Sequence, residues 1–419
     1  MAGLRKVIFI NTNRYRFPPV IPLGVEYLAR SLRREGFEVL VLDLCFSESP
    51  EADIAAAIDG FAPEAVCLSV RNVDTVLWPD TEYFLPEVKD YVAQIRRLTP
   101  APIIIGGSAL SADPEGILDY LGADVAVCGD GEAALASILR GPEGLGYLQG
   151  RVVAGGPAAP AALVRKEKDF DHAAYVAEGG VHGFETHRGC SSSCIYCMEA
   201  KSPAVFREPR EVVAELRALG ESGFRELHLC DSEFNEDLGY SLKFLREMTG
   251  EDLGLRWALY MKPGSSPPEL MELLRKSGAY LITLSADTLL RDAGYWRGIE
   301  GIVRGAKGEG IRVAVDLLAG FPRESESATS RVLDLFREIR PDEVVVNTYI
   351  RLYRKLRVTR VIEDDPSLRK FVRGGESGGG YLAPVFYSHL HRWRLKELIG
   401  GDDLFRIAGE DKGVNYQRA

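Results

Sequence analysis

Nowhere does this sequence approach the roughly 20 consecutive apolar residues that a membrane-spanning helix requires, so no membrane span is expected. Positive charge is the scarcer sign: 51 Lys and Arg stand against 61 Asp and Glu, a net of −10. That balance disfavours a broad nucleic-acid surface, whose affinity depends mainly on neutralised phosphates. One basic stretch, Arg351 to Arg360, reads better as a solvated charged face. The segment Met1 to Ile10 lacks the long apolar region and small-residue cleavage site of a signal peptide. Cysteine is sparse and odd in number, seven in 419 residues, which argues against a disulfide scaffold and predicts a reducing, cytoplasmic setting. What remains is an ordinary globular balance, 46% hydrophobic and 27% charged, over a length that predicts two or three domains.

Three of the seven cysteines fall within eight residues, in Gly189-Cys-Ser-Ser-Ser-Cys-Ile-Tyr-Cys-Met198, a CxxxCxxC spacing. Cys190, Cys194 and Cys197 on one short loop can hold three corners of a soft metal centre. Tetrahedral zinc or a fully cysteine-ligated cluster needs a fourth ligand, and no fourth cysteine lies nearby. Zinc sites usually pair two-cysteine knuckles, so a zinc knuckle fits this spacing poorly. The other four, Cys45, Cys67, Cys128 and Cys230, lie in or at the ends of apolar runs and are expected in the core, where a thiol behaves as a small hydrophobe.

Upstream, apolar strands alternate with segments of helical periodicity. Strands are predicted at Lys6 to Asn11, Phe37 to Leu44, Ala65 to Val70, Ile103 to Ile105 and Val125 to Cys128, and helices at Leu23 to Glu35, Ile54 to Phe61, Pro86 to Leu98 and Pro114 to Leu121. Such alternation predicts a doubly wound, Rossmann-like α/β domain over residues 1–150, with ligands beyond the carboxyl ends of its strands. Those ends carry Asn13, Ser69-Val70-Arg71-Asn72-Val73-Asp74, Gly106-Gly107-Ser108 and Gly129-Asp130-Gly131-Glu132. They are small, polar or glycine-rich, as close approach of a ligand to the backbone demands, although glycines after strands are also common turn residues.

Residues 151–182 read as a linker, low in complexity from Val153 to Leu163 and then charged from Lys166 to Asp171. From residue 183 to 349 six further strands alternate with helices, the cysteine loop following the first strand. The second strand ends in Asp231-Ser232-Glu233, the fourth in Ser285-Ala286-Asp287 and the fifth in Gly320-Phe321-Pro322; Tyr260 and Lys262 share that rim. Each of these alone could be a helix cap or a turn. Residues 350–419 are expected to form a small cap, with a glycine-rich loop at Gly374 to Gly380. His389 and His391, alternate in an aromatic segment, read as packing rather than as metal ligands.

The cysteine loop resembles that of the radical S-adenosylmethionine (SAM) enzymes. The resemblance implies a partial (β/α)6 barrel and a [4Fe–4S] cluster on Cys190, Cys194 and Cys197 whose open iron is chelated by SAM. It further implies Tyr196 near the adenine, SAM contacts at Asp231, Ser232, Glu233, Ser285 and Asp287, and an adenine turn at Gly320. The first domain, with Pro18-Pro19-Val20-Ile21-Pro22-Leu23-Gly24 and its glycine turns, resembles the cobalamin-binding domain of class B radical SAM methyltransferases. By that likeness Asn13, Ser69, Arg71, Asn72, Asp74, Gly106, Gly107, Ser108, Gly129, Gly131 and Glu132 line the cofactor. None of the six histidines stands in a DxHxxG motif, so cobalamin is expected without a histidine on cobalt. Ser69 to Asp74 is similar to the subgroup that contains the tryptophan 2-C-methyltransferase, which implies Arg71 at the lower face of the corrin; a salt bridge from Arg71 to Asp74 is the plainer reading. The function implied is transfer of a methyl group from SAM via methylcobalamin to a carbon of an organic substrate, with an electron donor such as flavodoxin or ferredoxin as partner. Ring formation or rearrangement, and a non-catalytic sensor, are the alternatives.

Overall fold

The computed structural model describes residues 4–141, 150–156, 169–289, 292–375 and 381–410. The linker expectation at 157–168 and the glycine-rich loop at 376–380 lie outside the described residues.

The first unit runs β1 (Lys6–Asn11), α1 (Leu23–Arg34), β2 (Glu38–Asp43), α2 (Pro50–Phe61), β3 (Ala65–Ser69), α3 (Leu85–Leu98), β4 (Ile103–Gly106), α4 (Pro114–Leu121), β5 (Val125–Cys128), α5 (Gly131–Arg140) and β6 (Arg151–Ala154). Its six strands are all parallel, in the order β2-β1-β3-β4-β5-β6. Alternate residues of one strand serve opposite cores: Ile8 and Ile10 pack toward one helix layer, Val7 and Phe9 toward the other. Burial on both faces is why these strands read as continuous apolar runs. On α1 the buried Val25, Ala29 and Leu32 form the face against the sheet. The Asp113 carboxylate caps α4 by accepting from Gly116 N at 3.2 Å.

The stretch expected to be a linker is in part structural. β6 adds to the first sheet, and α6 (His172–Ala177) buries Tyr175 against the same domain, its hydroxyl donating to Asp43 at 2.9 Å. Little in the residue pattern marks this, because the strand has only four residues and is half exposed.

The second unit begins with β7 (His182–Phe184), β8 (His187–Arg188) and β9 (Val205–Phe206). It continues with α7 (Pro209–Glu221), β10 (Glu226–Leu229), α8 (Leu238–Thr249), β11 (Arg256–Met261), α9 (Pro268–Lys276), β12 (Ala279–Asp287), α10 (Ala293–Gly308), β13 (Arg312–Leu318), α11 (Glu326–Ile339) and β14 (Glu343–Asn347). The remaining elements are β15 (Ile350–Arg351), α12 (Arg357–Asp364), β16 (Val372–Gly374), β17 (Val385–Tyr387), α13 (Arg392–Ile399) and β18 (Phe405–Ile407). The six expected strands are present and parallel, in the order β14-β13-β12-β11-β10-β7, and β18 adds a seventh beside β14. The tail is therefore more than a cap: β18 completes the barrel sheet, while β15, β17 and β16 form a small antiparallel sheet. Outward-facing residues such as Leu229, Trp257, Leu284, Val315 and Val346 bury the helices on the barrel.

The carboxyl ends of the two sheets meet. An arm of the first unit, bridged between Asp74 and Tyr83, reaches the small sheet, where the Trp78 ring packs on Phe386 at 5.6 Å. At its base Asp74 and Arg351 form a buried ion pair at 2.7 Å. Arg354 and Lys355 reach Asp113 and Glu115 at 3.1 and 3.2 Å. On the other side Arg207, 2% exposed, bonds the Tyr27 hydroxyl at 3.1 Å and Glu215 at 2.8 Å.

Candidate functional site

The cysteine loop leaves β8 through Gly189, whose φ is +95° and where a Cβ would stand 2.1 Å from the Pro203 carbonyl oxygen. Only glycine fits there. Cys190 is then held by its backbone, donating to Ser202 Oγ at 2.9 Å and bridging Ala200. Ser191 N donates to Glu236 Oε1 at 3.0 Å, and Lys262 Nζ binds the other oxygen of Glu236 at 2.7 Å. Lys262 is thus a brace for the loop rather than a free rim cation. Cys190 is buried, Cys194 half-buried and Cys197 exposed. Desolvation pushes the Cys197 thiol up, and the neighbouring Cys194 and Cys190 add to the shift. Among the described residues no three His, Cys, Asp or Glu side chains are placed to hold a single metal ion.

Of the thiols expected in the core, Cys45 and Cys67 are buried, Cys128 is half-buried and Cys230 is exposed. Cys230 follows the last residue of β10, where its sulfur would lie 2.7 Å from a Cβ at Gly183. Flanking apolar residues misled here because β10 ends one residue earlier.

The strand-end residues divide by what their side chains already hold. Asp231, 5% exposed, accepts from Thr186 N at 2.7 Å and from His187 N at 3.3 Å, and His187 Nδ1 lies 3.0 Å from its other oxygen. It fixes the approach to the cysteine loop and is not an open SAM ligand. Asp287, 2% exposed, accepts from the Tyr196 hydroxyl at 3.2 Å and from Leu289 N at 3.1 Å, so it too positions the loop. Ser232 donates to Glu199. Glu233 differs: Oε2 is buried with no protein partner, and burial pushes the carboxyl up to about 8, against a hydrogen bond from Ser285 and the nearby Lys262. The Tyr196 ring packs against Phe321 at 5.4 Å, beside Gly320, whose φ is +82°. Both nitrogens of His389 meet carbonyl oxygens of this turn, Gly320 and Glu324, at 3.1 Å, and the His391 ring stacks on Trp393. Among the described residues neither histidine belongs to a group of three metal-ligating side chains.

On the facing edge a small cavity of about 10 Å³, room for roughly one water, is lined by Asn13, Arg14, Arg71, Asn72 and Phe84. Asn13 Nδ2 is buried there without a protein partner. The Asn72 amide embraces Arg71, donating to its carbonyl at 2.9 Å and accepting from its Nη1 at 3.0 Å. Ser108 Oγ donates to the Arg71 carbonyl at 2.6 Å, and Thr12 Oγ1 to that of Ser69 at 2.8 Å. At Gly107, φ +106°, a Cβ would stand 2.4 Å from the Val70 carbonyl, so the turn after β4 lies flat against β3. Two acidic residues expected on the cofactor are engaged elsewhere. Asp74 is spent on Arg351. Glu132 accepts from Arg188 Nη1 at 3.0 Å, although its Oε2 is buried without a partner. Gly129 and Gly131 flank Asp130, which also accepts from Arg188.

Sequence reasoning missed Arg188 and Trp78, and it took Arg351 for part of a solvated charged face, whereas Arg351 is 4% exposed and paired with Asp74. Arg188 lies two residues before Cys190, yet nothing in the pattern names Asp130 and Glu132 as its partners, because they are more than fifty residues away in the chain.

Residues present fit the groups that the resemblances imply. Three neighbouring thiols whose anions would repel suit a cluster of positive irons. The unpartnered Glu233 oxygen suits an ammonium group. Asn13 Nδ2 and the Cβ-free turn at Gly107 suit a large polar ligand pressed on the sheet edge.

Comparison with known proteins agrees with this division. Residues 16–139 match the B12 binding domain and residues 184–336 the Radical SAM superfamily. The chain is 26% identical to the tryptophan 2-C-methyltransferase of Streptomyces laurentii, over 93% of this chain and 80% of that protein. It superposes on the radical SAM methyltransferase TsrM of Kitasatospora setae, solved with tryptophan and a SAM analogue, with a TM-score of 0.86 at 23% identity, covering 98% of this chain and 93% of that one. The cobalamin-dependent SAM radical enzyme OxsB gives a TM-score of 0.69 at 14% identity, covering 95% of this chain and 66% of that one.

Proposed function

We infer that this chain, a cobalamin-binding radical SAM protein by its two matched domains, is a C-methyltransferase that moves a methyl group from SAM to carbon. The observation that carries the reading is the meeting of two strand-end edges, one with a cysteine loop and an unpartnered carboxylate, the other with glycine turns and an arginine-lined cavity. When bound, the cluster on Cys190, Cys194 and Cys197 supplies an electron and cobalamin carries the methyl group between SAM and substrate. Everything else is placement. Glu233 and Ser285 orient the SAM amino end, the Tyr196 and Phe321 rings and the Gly320 turn border its adenine, and Asp231 and Asp287 keep the loop in register. Arg71, held by Asn72 and Ser108, presents a permanent cation to the corrin. A fixed geometry of this kind lowers the entropic cost of bringing the reacting groups together.

We place the substrate in the seam between the two edges. Tryptophan, bound by TsrM, heads the candidates; Trp78, Tyr349 and Tyr353 bring aromatic surface to that seam. The domain division is best drawn with residues through Ala177 in the first unit and β18 in the second. Flavodoxin or ferredoxin would supply electrons, and a reducing cytoplasm suits seven free thiols. Among the described residues no helix is long and apolar enough to cross a membrane.

The test is anaerobic incubation of the reconstituted protein with cobalamin, reductant, SAM and tryptophan. S-adenosylhomocysteine together with a methylated product supports the reading. Appearance of 5′-deoxyadenosine alone, with no methylated product, would favour ring formation or rearrangement instead.

A further inference from the structure

We infer that Arg188 is a positioning residue that ties the corrin-side turn Asp130-Gly131-Glu132 to the cluster loop and so fixes where cobalt stands relative to the cluster. The inference rests on the cobalamin and radical SAM reading above.

Arg188 is the last residue of β8, two before Cys190. Only Gly189 separates them, on a path so close to Pro203 that an added Cβ would stand 2.1 Å from its carbonyl oxygen. A displacement at Arg188 is therefore one residue away from Cys190. The guanidinium of Arg188 gathers three carboxylates. Its Nη1 lies 3.0 Å from Asp130 Oδ1 and 3.0 Å from Glu132 Oε1, and its Nη2 lies 2.9 Å from Glu185 Oε1. Its plane sits 5.7 Å from the Tyr27 ring of α1. Asp130 and Glu132 stand at the start of α5, on the glycine turn of the first sheet, whereas Glu185 and Arg188 belong to the strand ends of the second. One cation thus joins both edges, and its planar fork is suited to several carboxylates at once where an ammonium is not.

The charge balance sharpens the point. Arg188 is the cation that these three carboxylates share; without it Asp130 and Glu132 would face Glu185 across the seam, with Arg207 still acting on Glu185. Other ties between the units remain without it: Arg207 with the Tyr27 hydroxyl on the same side, and Asp74 with Arg351 and Asp113 with Arg354 beyond β14. Loss of Arg188 should therefore shift the Asp130-Gly131-Glu132 turn against the cluster loop and leave the two units joined.

Arg188→Met keeps the length and apolar stem of the side chain and removes the charge. The variant, reconstituted with iron, sulfide and cobalamin, is compared with the parent by the magnetic coupling between Co(II) and the reduced cluster in electron paramagnetic resonance. The rate of S-adenosylhomocysteine formation is measured beside it. Expected are parent-like iron and cobalamin contents, an altered coupling and a rate lowered roughly tenfold or more, since misplacement by about 1 Å can cost ~100-fold. Arg188→Lys should fall between. Unchanged coupling and rate in a loaded Arg188→Met protein would overturn the inference. Should that variant fail to fold or load, Asp130→Asn with Glu132→Gln, which leaves Arg188 paired to Glu185, is read instead; altered coupling there supports the tie and parent-like coupling overturns it. A parent that binds no cobalamin or no cluster would sink the underlying reading, and this inference with it, before any variant is compared.

Discussion

Replacing Arg351 by methionine tests whether the seam is held by charge. Arg351 is 4% exposed and Asp74 2% exposed, and the pair meets at 2.7 Å. The guanidinium also donates to the carbonyls of Leu352 at 2.6 Å and Leu382 at 3.0 Å, and lies 4.4 Å from the Tyr353 ring. Arg351→Met leaves the Asp74 carboxylate buried with only Val76 N, at 2.9 Å, to answer it. Breaking a buried pair in this way costs about 3–5 kcal/mol. At 1.4 kcal/mol per decade that is roughly a hundredfold to a thousandfold or more in the opening equilibrium of the arm. Hydrogen exchange of the amides from Val73 to Phe84 reads this directly, because local opening is reported segment by segment. Asp74→Asn with Arg351→Met removes the stranded charge, so the double variant should lose less protection than the two single losses added together. Exchange changed by less than tenfold in Arg351→Met, or strictly additive losses, would refute the reasoning.

Cys194→Ala should abolish the cluster while the first unit stays folded, since its cores are separate from that of the barrel; a full complement of iron in the variant would remove Cys194 from the ligand set. Gly189→Ala forces a Cβ to 2.1 Å from the Pro203 carbonyl at a φ of +95°. A loss of about 1–3 kcal/mol in thermal or denaturant stability, with poor iron loading, is expected, and parent-like values would show that the loop is softer than its packing implies. Without SAM, Glu233 titrates near 8 in the folded protein against 4.5 as its ordinary value. The folded state then binds more protons over that interval, so this group makes stability fall as pH rises from about 4.5 to 8, by up to about 4 kcal/mol. Glu233→Gln should flatten that slope in denaturant melts across the interval; an unchanged slope would place the effect in another group, Glu185 being next with a carboxyl pushed up to about 7.

Strands buried on both faces were legible because they are runs of apolar residues, and the predicted and observed bounds of β1 and β5 coincide. Short or half-exposed elements were not. β6, α6 and β18 carry three to six residues each, too few for a period to show, and each is held by a neighbour distant in the chain. The cysteine loop was legible for a different reason: its spacing is local, and local spacing survives in a sequence. Side-chain partnership is not local. Asp74, Asp231, Asp287 and Glu132 looked like open ligands at strand ends, yet each is held by a residue from another part of the fold, Arg351, Thr186, Tyr196 and Arg188 in turn. Glu233 kept its open oxygen, and nothing in the pattern distinguished it from Asp231 two positions earlier.

Until β18 has been made, β14 offers a bare row of backbone donors and acceptors on its outer side, since its neighbour in the finished sheet is drawn from the last described segment of the chain. A ribosome therefore delivers the cysteine loop and the whole first unit long before the barrel can be sealed. During that interval the unpaired edge is a template for other nascent chains. Slow translation or truncation ahead of Phe405 should show itself as aggregation during synthesis.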